Sequence, residues 1–503
     1  MATACADTRL YSVAQVRDIE RAALAAVPAG TLMQRAGAAV AGQALSMLPA
    51  GDAPVLVLAG PGNNGGDALE AAALLASRGK HVCVVLLADP QRLPPDAKAA
   101  HARALAGNAS FIDRFDIAGP WALAIDGLFG IGLARAPEGP FRAAVEQVNA
   151  LDCAVLAIDV PSGLDADSGA LVGSTAVRAT HTLTFLGNKP GLHTAQGRDH
   201  AGAVSVDTLQ TDPALYGEPR AVLNHAPLFS AYARPRMHAS HKGSHGDLTV
   251  VGGAAGMGGA VLLAARMAAM AGAGRVFAAF ASHVPAFDPA HPELMCRDAH
   301  AVALTQGAVV VGPGLGLSRD ANDLLSRALA SALPLLIDAD ALNLLAEELP
   351  LQRKLAARHA PAVLTPHPLE AARLLGTDAA RVQADRIGAA QELAGRYQAV
   401  VVLKGSGSVI AQADGHVVIN GSGNPALATA GSGDVLSGLC GALLAQQWPA
   451  WEAALAAVWL HGVAADDMVA TGLGPVGITA GELLPWIRSA LNRLIKATDH
   501  RIS

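Results

Sequence analysis

The strongest chemical signal in the sequence is a carboxylate that follows two glycines at the start of an apolar, helix-like stretch. In GNPALATAGSGDVLSGLCGALL (423–444), Gly431 and Gly433 precede Asp434. Backbone amides at a helix start can stabilise charge on a transferred phosphoryl group, and the carboxylate can take a proton from an attacking hydroxyl. An aspartate that only caps the helix would look similar locally. The preceding glycines and Asn424-Pro425 favour catalysis.

Polar side chains in the first half also follow apolar runs. GPGNNGGDALEAAALLA (60–76) joins a strand to a helix, and Asp126 and Asp159 each end a strand before a glycine turn. Ligands of open α/β sheets bind at the carboxyl ends of strands. Oxygen atoms gathered there, with few cations nearby, could hold a monovalent or divalent cation. The residues expected to face this crevice are Asn64, Asp126, Asp159 and Ser162.

Simpler roles remain open for these residues. Asn64 or Asp67 could cap a helix, and Asp159, which lies two positions before Pro161, could form a turn. In the second half, VVLKGSGSVI (401–410) leads to Lys404 and a glycine-serine turn that could grip an adenylate. Other segments that deliver polar residues or glycines from strand ends are 252–265, 309–316, 337–345 and 364–375.

Uninterrupted apolar runs predict the strands that position these residues. Such runs are typical of strands buried on both faces of a parallel sheet. The fold class is therefore predicted as α/β, with an amphipathic helix over 31–48 ahead of the first strand. The pattern lapses over 207–245, which predicts two domains, 1–220 and 221–503. The runs lie at 54–59, 81–87, 121–126, 154–159 and 181–186, and then at 247–251, 275–280, 308–311, 334–338, 399–403 and 416–419.

Composition narrows the class of protein. The 503 residues carry 36 Lys+Arg and 42 Asp+Glu, so the net charge is 36 − 42 = −6, which argues against a large nucleic-acid surface. Glycine and proline interrupt the uncharged run 301–318, so no membrane span is predicted. The first residues lack the apolar region of a signal peptide, and five scattered cysteines fit a reducing compartment, so we expect the cytoplasm. His238, His241 and His245 have ligand-like spacing, but no cysteine lies nearby, which disfavours zinc.

The first half resembles a known family in four motifs that occur in its order. They are NNGGD (63–67), DGLFGIGL (126–133), DVPSGLDADSG (159–169) and FLGNKPGL (185–192), and they are similar to those of the NAD(P)H-hydrate epimerase domain. The resemblance implies a Rossmann-like three-layer sandwich that interconverts the R and S forms of hydrated NADH and NADPH (NADHX and NADPHX). It implies Asp159 as catalytic acid/base and potassium held by Asn64, Asp126 and Ser162. The implied dinucleotide contacts are Asn63, Asn64, Gly65, Gly66, Asp67, Gly130, Ile131, Gly132, Leu133, Ala134, Arg135, Ala136 and Asp159.

The second half resembles the ribokinase-like ADP-dependent NAD(P)H-hydrate dehydratases. The segments HKGSHGDLTVVGG, GPGLG, DADALN, TPHP and GSGD follow that family's order over residues 241–440. The resemblance implies a ribokinase-like α/β domain that phosphorylates the ring hydroxyl with ADP and Mg²⁺, and Asp434 as the base. The implied substrate contacts are Ala260, Gly314, His367 and Asp434, and the implied nucleotide contacts are Lys404, Gly405, Ser406, Gly407, Ser408 and Gly433.

The two resemblances together predict a bifunctional repair enzyme. Because a dehydratase that accepts one epimer leaves the other behind, an epimerase on the same chain makes the repair complete. We expect small-molecule substrates (NADHX, NADPHX and ADP), no nucleic-acid or membrane partner, and a homo-oligomer. Two alternatives remain open: the second half as an ordinary small-molecule kinase, and the first half as a non-catalytic binding or scaffolding module.

Overall fold

The structure is a computed structural model that describes residues 8–498, and its internal contacts divide the chain into two units. Unit 1 is Met1–Val222 and unit 2 is Leu223–Ser503. Each unit is an α/β fold built around a largely parallel sheet, which confirms the predicted fold class. Each predicted apolar run forms a strand, with ends that differ by at most two residues.

Unit 1 contains a seven-stranded parallel sheet in the order β4-β3-β2-β5-β6-β7-β8. The strands of this sheet are β2 (Val55–Ala59), β3 (Val82–Leu86), β4 (Ser110–Phe111), β5 (Leu123–Gly127), β6 (Ala154–Ile158), β7 (His181–Phe185) and β8 (Ala203–Asp207). Outside it, β1 (Arg9–Leu10) pairs antiparallel with β9 (Ala221–Leu223), which includes the last residues of unit 1 and the first of unit 2. The helices of unit 1 are α1 (Val13–Ala26), α2 (Thr31–Met47), α3 (Asn63–Ser77), α4 (Pro95–Ala106), α5 (Pro140–Val148) and α6 (Gly197–His200).

Strand β2 shows why this sheet is covered on both faces. All five of its residues are buried, because successive side chains point to opposite faces and both faces meet helices. Val55 and Val57 join the core that includes α2, α3 and α4, whereas Leu56 and Leu58 join the core that includes α5. The result is a three-layer sandwich.

Unit 2 contains a sheet in the order β18-β17-β16-β15-β14-β13-β10-β11-β12, parallel except that β16, β17 and β18 pair antiparallel. Its strands are β10 (Asp247–Gly252), β11 (Arg275–Phe280), β12 (Met295–Asp298), β13 (Ala308–Val311), β14 (Leu335–Ile337), β15 (Ala362–Leu364), β16 (Val400–Leu403), β17 (Val409–Ala411) and β18 (Val417–Ile419). Its helices are α7 (Gly258–Met270), α8 (Arg319–Ala330), α9 (Asp340–Glu347), α10 (Leu349–Ala356), α11 (Pro368–Leu375), α12 (Ala379–Ala384), α13 (Arg386–Tyr397), α14 (Ser432–Ala445), α15 (Ala450–Ala470) and α16 (Ala480–Ala497).

Helix α15 is the one helix within residues 8–498 that is long and apolar enough to cross a membrane, by length and composition only. Its mean hydropathy is 1.3, and 67% of the apolar window is buried in the structure. It packs against α14 and α16, so its apolar residues serve the core of unit 2. The sequence run 301–318, in contrast, forms β13 and the glycine turn that follows it.

The structure shows where the helices of two glycine-rich segments begin. NNGGD is not a loop but the first turn of α3, whose N-cap is Gly62, so neither Asn64 nor Asp67 caps the helix. Likewise Gly431 is the N-cap of α14, and Asp434 lies inside its first turn. The capping alternative is therefore wrong for Asn64, Asp67 and Asp434.

Candidate active sites

Unit 1 has a cavity of about 430 Å³ at the carboxyl ends of its central strands. Its walls come from α1, α2, the start of α3, the turn after β5 and the residue after β6. The N-cap of α3 offers no side-chain cap, so the first amides of α3 are available to an anionic group. The predicted residues that line the cavity are Asn63, Asn64, Asp67, Gly130, Ile131, Gly132, Leu133 and Asp159.

Asp159 is anchored at the cavity wall by a buried ion pair. Its Oδ1 accepts a 2.6 Å hydrogen bond from the ammonium of Lys189, which is 0% exposed. Lys189 also donates to the hydroxyl of Thr184 (2.6 Å) and the carbonyl of Phe185 (2.8 Å), so its three protons are all used. The other oxygen of Asp159 accepts from the backbone N–H of Ile131 at 3.1 Å. Asp159 is thus more than a turn residue, although its φ is +67°.

Asp126 and Ser162 lie beneath the cavity and bind each other. The carboxylate of Asp126, 1% exposed, accepts from the N–H of Ser162 at 2.8 Å and from its hydroxyl at 2.7 Å. Burial raises the pKa of Asp126 to about 6, although the bonds from Ser162 oppose the shift. Of the four residues expected at one crevice, Asn64 and Asp159 reach the cavity and these two do not.

The side chain of Asn64 lies close to Asp159, on either side of Gly130. A Cβ on Gly130 would meet the Oδ1 of Asn64 at 3.1 Å and an oxygen of Asp159 at 2.9 Å, so a larger residue at position 130 would displace one of these side chains. The amide nitrogen of Asn64 is buried and has no hydrogen-bond partner within residues 8–498. A buried polar atom without a partner is costly, and it is one of the few such atoms in the described chain.

The remaining predicted contacts of unit 1 do not line the cavity. Gly65 and Gly66 face the packed interior, where a Cβ on Gly65 would meet the carbonyl oxygen of Gly60 at 2.0 Å. Their role is close packing of α3. Ala134, Arg135 and Ala136 follow the lining turn but lie outside the cavity wall.

Sequence reasoning missed part of this site. Arg17 and Glu20 line the cavity from α1, and Lys189 supports Asp159. Burial, with the negative charges of Asp159 and Glu20, holds the pKa of Asp67 well above its usual range. Lys189 lies inside the motif FLGNKPGL, whereas the spacing of polar residues around Glu20 does not distinguish it from a solvent-exposed glutamate.

In unit 2, Lys404 lies at the centre of a buried cluster of carboxylates. It donates to Asp338 at 2.8 Å and lies 3.9 Å from Glu370, and Ser437 donates to the other oxygen of Asp338 at 2.7 Å. Asp338 follows β14 and Lys404 follows β16, with β15 between them in the sheet. Although burial raises the pKa of Asp338, the charge and hydrogen bond of Lys404, with the hydrogen bonds of Ser437 and Thr365, together leave it below its usual value. Lys404, predicted to bind an adenylate, thus also holds the buried carboxylate of Asp338 in place.

Asp434 faces the same cluster. A Cβ on the preceding residue, Gly433, would lie 3.5 Å from the ammonium of Lys404. Burial, and then the charge of Asp338, raise the pKa of Asp434 to about 6, with Lys404 opposing. At neutral pH the carboxylate form still dominates, and a carboxylate can accept a proton.

His367 and Glu370 lie beside the cluster around Lys404. His367 is the N-cap of α11, and its Nδ1 accepts from the N–H groups of Leu369 and Glu370. Burial and the charge of Lys404 lower the pKa of His367, and its Nε2 lies 3.3 Å from a carboxylate oxygen of Glu370. Burial raises the pKa of Glu370 to about 7, against the charge of Lys404.

The other predicted residues of unit 2 lie in two groups. A Cβ on Gly314 would meet the Cβ of Ala260 at 3.3 Å, so these two are neighbours, and the same turn donates to Asp340 through the N–H of Gly316 at 2.8 Å. Gly405, Ser406, Gly407 and Ser408 form the turn between β16 and β17. Buried Arg386 donates to the carbonyls of Leu403 and Lys404 at the start of that turn.

Within residues 8–498 no group of three His, Cys, Asp or Glu side chains could hold a metal ion. His241 instead forms a capping box with Ser244, and His245 lies near the hydroxyl of Ser240. Two of the three histidines with ligand-like spacing thus have local structural roles.

Comparisons with known proteins agree with the two-unit division of motifs. Residues 29–191 match the family described as YjeF-related protein N-terminus, and residues 248–483 match the family described as NAD(P)H-hydrate dehydratase. A bifunctional NAD(P)H-hydrate repair enzyme of Coxiella burnetii is 39% identical over 96% of this chain and 100% of its own. That of Escherichia coli is 38% identical over 88% of this chain and 86% of its own.

Among solved structures, an ADP/ATP-dependent NAD(P)H-hydrate dehydratase from Bacillus subtilis, co-crystallised with ATP and Mg²⁺, is 31% identical. The match covers 54% of this chain and 98% of that one, with a TM-score of 0.49.

Proposed function

The chain belongs to the bifunctional NAD(P)H-hydrate repair enzymes, and we propose that unit 1 epimerises the hydrated dinucleotide while unit 2 dehydrates its S form with ADP. The observation that carries the proposal is that each unit has its own polar site at the carboxyl ends of its strands. One contains Asp159, and the other contains Asp434.

In unit 1 the diphosphate of the substrate binds the open first turn of α3, and the ring enters the cavity beside Gly130 and Asp159. A helix start with free amides favours phosphate. The hydroxyl-bearing carbon of the ring adjoins the ring nitrogen, so the hydroxyl can leave and return on the other face. Asp159, anchored by Lys189, moves the proton that this exchange requires.

Potassium fits the oxygen atoms around Asn64, Asp126 and Ser162. The side-chain oxygen of Asn64 is the atom that could bind the ion, and the raised pKa of Asp126 means that a cation nearby would stabilise its charge. The carbonyl of Phe129, 3.2 Å from the hydroxyl of Ser162, adds a further oxygen. A bound cation would fix the turn that carries Gly130 and so shape the cavity.

Potassium should therefore stabilise the folded protein. We expect the Tm to rise with K⁺ concentration relative to choline at constant ionic strength, because an ion that binds only the folded state shifts unfolding. Asp126→Asn should remove this dependence, whereas Asp116→Asn, in an exposed turn, should retain it. A Tm that responds equally to K⁺ and choline in the unchanged protein would contradict the site.

In unit 2 the adenine nucleotide binds Lys404, the turn 405–408 and Gly433, and the hydrated ring lies among Ala260, Gly314, His367 and Asp434. Hydroxide is a poor leaving group, so the ring hydroxyl is first phosphorylated. Asp434 removes the hydroxyl proton as the β-phosphoryl group of ADP arrives, and AMP leaves. Phosphate then departs with help from the ring nitrogen, and the neighbouring carbon loses a proton to restore the reduced ring.

Mg²⁺ is expected with the nucleotide, where it would neutralise phosphate charge. Asp338 is already bound to Lys404 and Ser437, and Glu370 accepts from the N–H of His367 at 2.7 Å. The ion would therefore rely mainly on phosphate oxygens and water, which is the usual manner for Mg²⁺.

Separate assays test the two halves of the proposal. The S form with ADP and Mg²⁺ should yield reduced dinucleotide, AMP and phosphate in equal amounts, and the R form without ADP should yield the S form. A phosphorylated ring that accumulates without loss of phosphate would instead indicate an ordinary kinase.

Location and assembly complete the proposal. The cytoplasm is supported by the free thiols of Cys83, Cys153, Cys296 and Cys440, whereas Cys5 lies outside the described residues. A homo-oligomer is expected, and sedimentation of the full chain would measure its size.

A further inference from the structure

Helix α1 contributes a carboxylate, that of Glu20, to the wall of the unit 1 cavity. The family match begins at residue 29, whereas α1 is Val13–Ala26. Glu20 of α1 lines the cavity together with Arg17, Asp67 and Asp159. Its side chain therefore borders the space that the proposed function gives to the hydrated ring.

Helix α1 holds Glu20 in a fixed position. Ser12 and Gln15 form a capping box at its start, and the N–H of Val13 donates to Asp167 at 2.8 Å. Val16, Ile19 and Ala23 are buried in the core of unit 1, so the helix cannot rotate without exposing them. An acid–base group on a packed helix is better positioned than one on a loop.

The charges that face Glu20 make it a suitable proton donor. Burial, and then the charge of Asp159, raise its pKa, against the opposing charges of Lys189 and Arg17. Asp67 also faces the cavity. Asp159 differs from Glu20 because it has its own cation, Lys189, at 2.6 Å. Two carboxyl groups in unlike environments within one cavity are the usual arrangement of an acid and a base.

We propose that Glu20 is a second acid–base residue of the epimerisation and works with Asp159 on the hydroxyl of the hydrated ring. This inference rests on the proposed function of unit 1. It adds a catalytic group from helix α1, which is similar to the N-terminal region of the epimerase family but holds none of the four strand-end motifs.

The proton and electron count of the reaction is balanced with these two groups. Glu20 gives a proton to the ring hydroxyl, the carbon–oxygen bond breaks, and water leaves with the bonding pair while the nitrogen lone pair forms a carbon–nitrogen double bond. Water then adds to the other face, the double-bond pair returns to nitrogen, and Asp159 takes the extra proton. The reverse direction exchanges the two roles, so no oxidant or reductant is needed.

The other carboxyl groups of the cavity have different positions. Asp96 lies in the first turn of α4, where the helix dipole stabilises its carboxylate. Asp67 lies in the segment proposed to hold the dinucleotide. Glu20 has neither role.

The test is Glu20→Gln in the full chain, compared with Asp18→Asn on the exposed face of the same helix. Exchange between R and S forms should fall by about 100-fold or more in kcat for Glu20→Gln, with KM nearly unchanged, because general acid–base groups contribute on that scale. Dehydration of the pure S form should be unaffected, which shows that unit 2 is folded and active. Asp18→Asn should exchange at the normal rate, since its partner Arg21 and its own side chain are exposed.

Glu20→Asp and the pH profile complete the test. The shorter acid should restore part of the exchange rate and return a titrating group to the profile, which a purely structural role would not do. Exchange by Glu20→Gln at the normal kcat would overturn the inference. Absence of exchange in the unchanged protein would overturn the proposed function itself.

Discussion

Asp434→Asn is expected to abolish ADP-dependent recovery of the reduced dinucleotide, with a loss in kcat on the order of 1,000-fold. The asparagine retains the shape of the side chain beside Gly433 and the ammonium of Lys404, but it cannot take the proton of the ring hydroxyl. In the unchanged protein the rate should fall as the pH drops through about 6, because the base is then protonated. The measurement is the appearance of reduced nicotinamide absorbance from the pure S form.

The matched control for this variant is Asp320→Asn. Asp320 lies in the first turn of α8 as Asp434 lies in the first turn of α14, so both changes remove a negative charge from a helix start. Asp320→Asn should dehydrate normally, and both variants should exchange the epimers at the normal rate. Recovery by Asp434→Asn at a rate near that of Asp320→Asn would contradict the role of Asp434 as base.

Lys189→Met is expected to destabilise unit 1 by about 3–5 kcal/mol, because it leaves the carboxylate of Asp159 at a largely buried site without its cation. The lysine is 0% exposed and the aspartate side chain 11% exposed, so water can reach the carboxylate only from the cavity and does not fully replace the ammonium. Urea unfolding followed by fluorescence gives the change in the free energy of unfolding. Epimer exchange should fall along with stability.

A double variant separates the pair from its surroundings. Lys189→Met with Asp159→Asn should recover much of the stability, since neither charge is then left alone, but it should not recover exchange. Arg142→Met, which breaks an exposed pair with Glu146, should change the free energy of unfolding by no more than about 1 kcal/mol. If Lys189→Met were as stable as Arg142→Met, the pair between Lys189 and Asp159 would not stabilise unit 1.

Uninterrupted apolar runs predict the strands well, because a strand buried on both faces has apolar residues at every position. Val55–Ala59 is apolar throughout and forms the predicted strand. The start of α3 is harder to predict, for an equally physical reason. Glycines normally weaken a helix, yet Gly65 lies in its first turn because a Cβ there would meet the carbonyl oxygen of Gly60 at 2.0 Å.

Contacts between distant residues could not be predicted from one sequence. Lys189 is 30 positions from Asp159, and Lys404 is 66 positions from Asp338. Motifs drew attention to the segments that contain these residues, but only the folded sheet brings the partners together. Glu20 left even less trace, because a glutamate on an amphipathic helix is ordinarily solvated.

The central claim is that one chain repairs both epimers at two separate sites, and a mixture of R and S forms tests it most directly. With ADP and Mg²⁺, the unchanged protein should restore all of the reduced dinucleotide, whereas Glu20→Gln should rapidly restore only the S portion. Asp434→Asn should equilibrate the epimers and restore none. Recovery by the unchanged protein that stops when the S form is exhausted would contradict the claim.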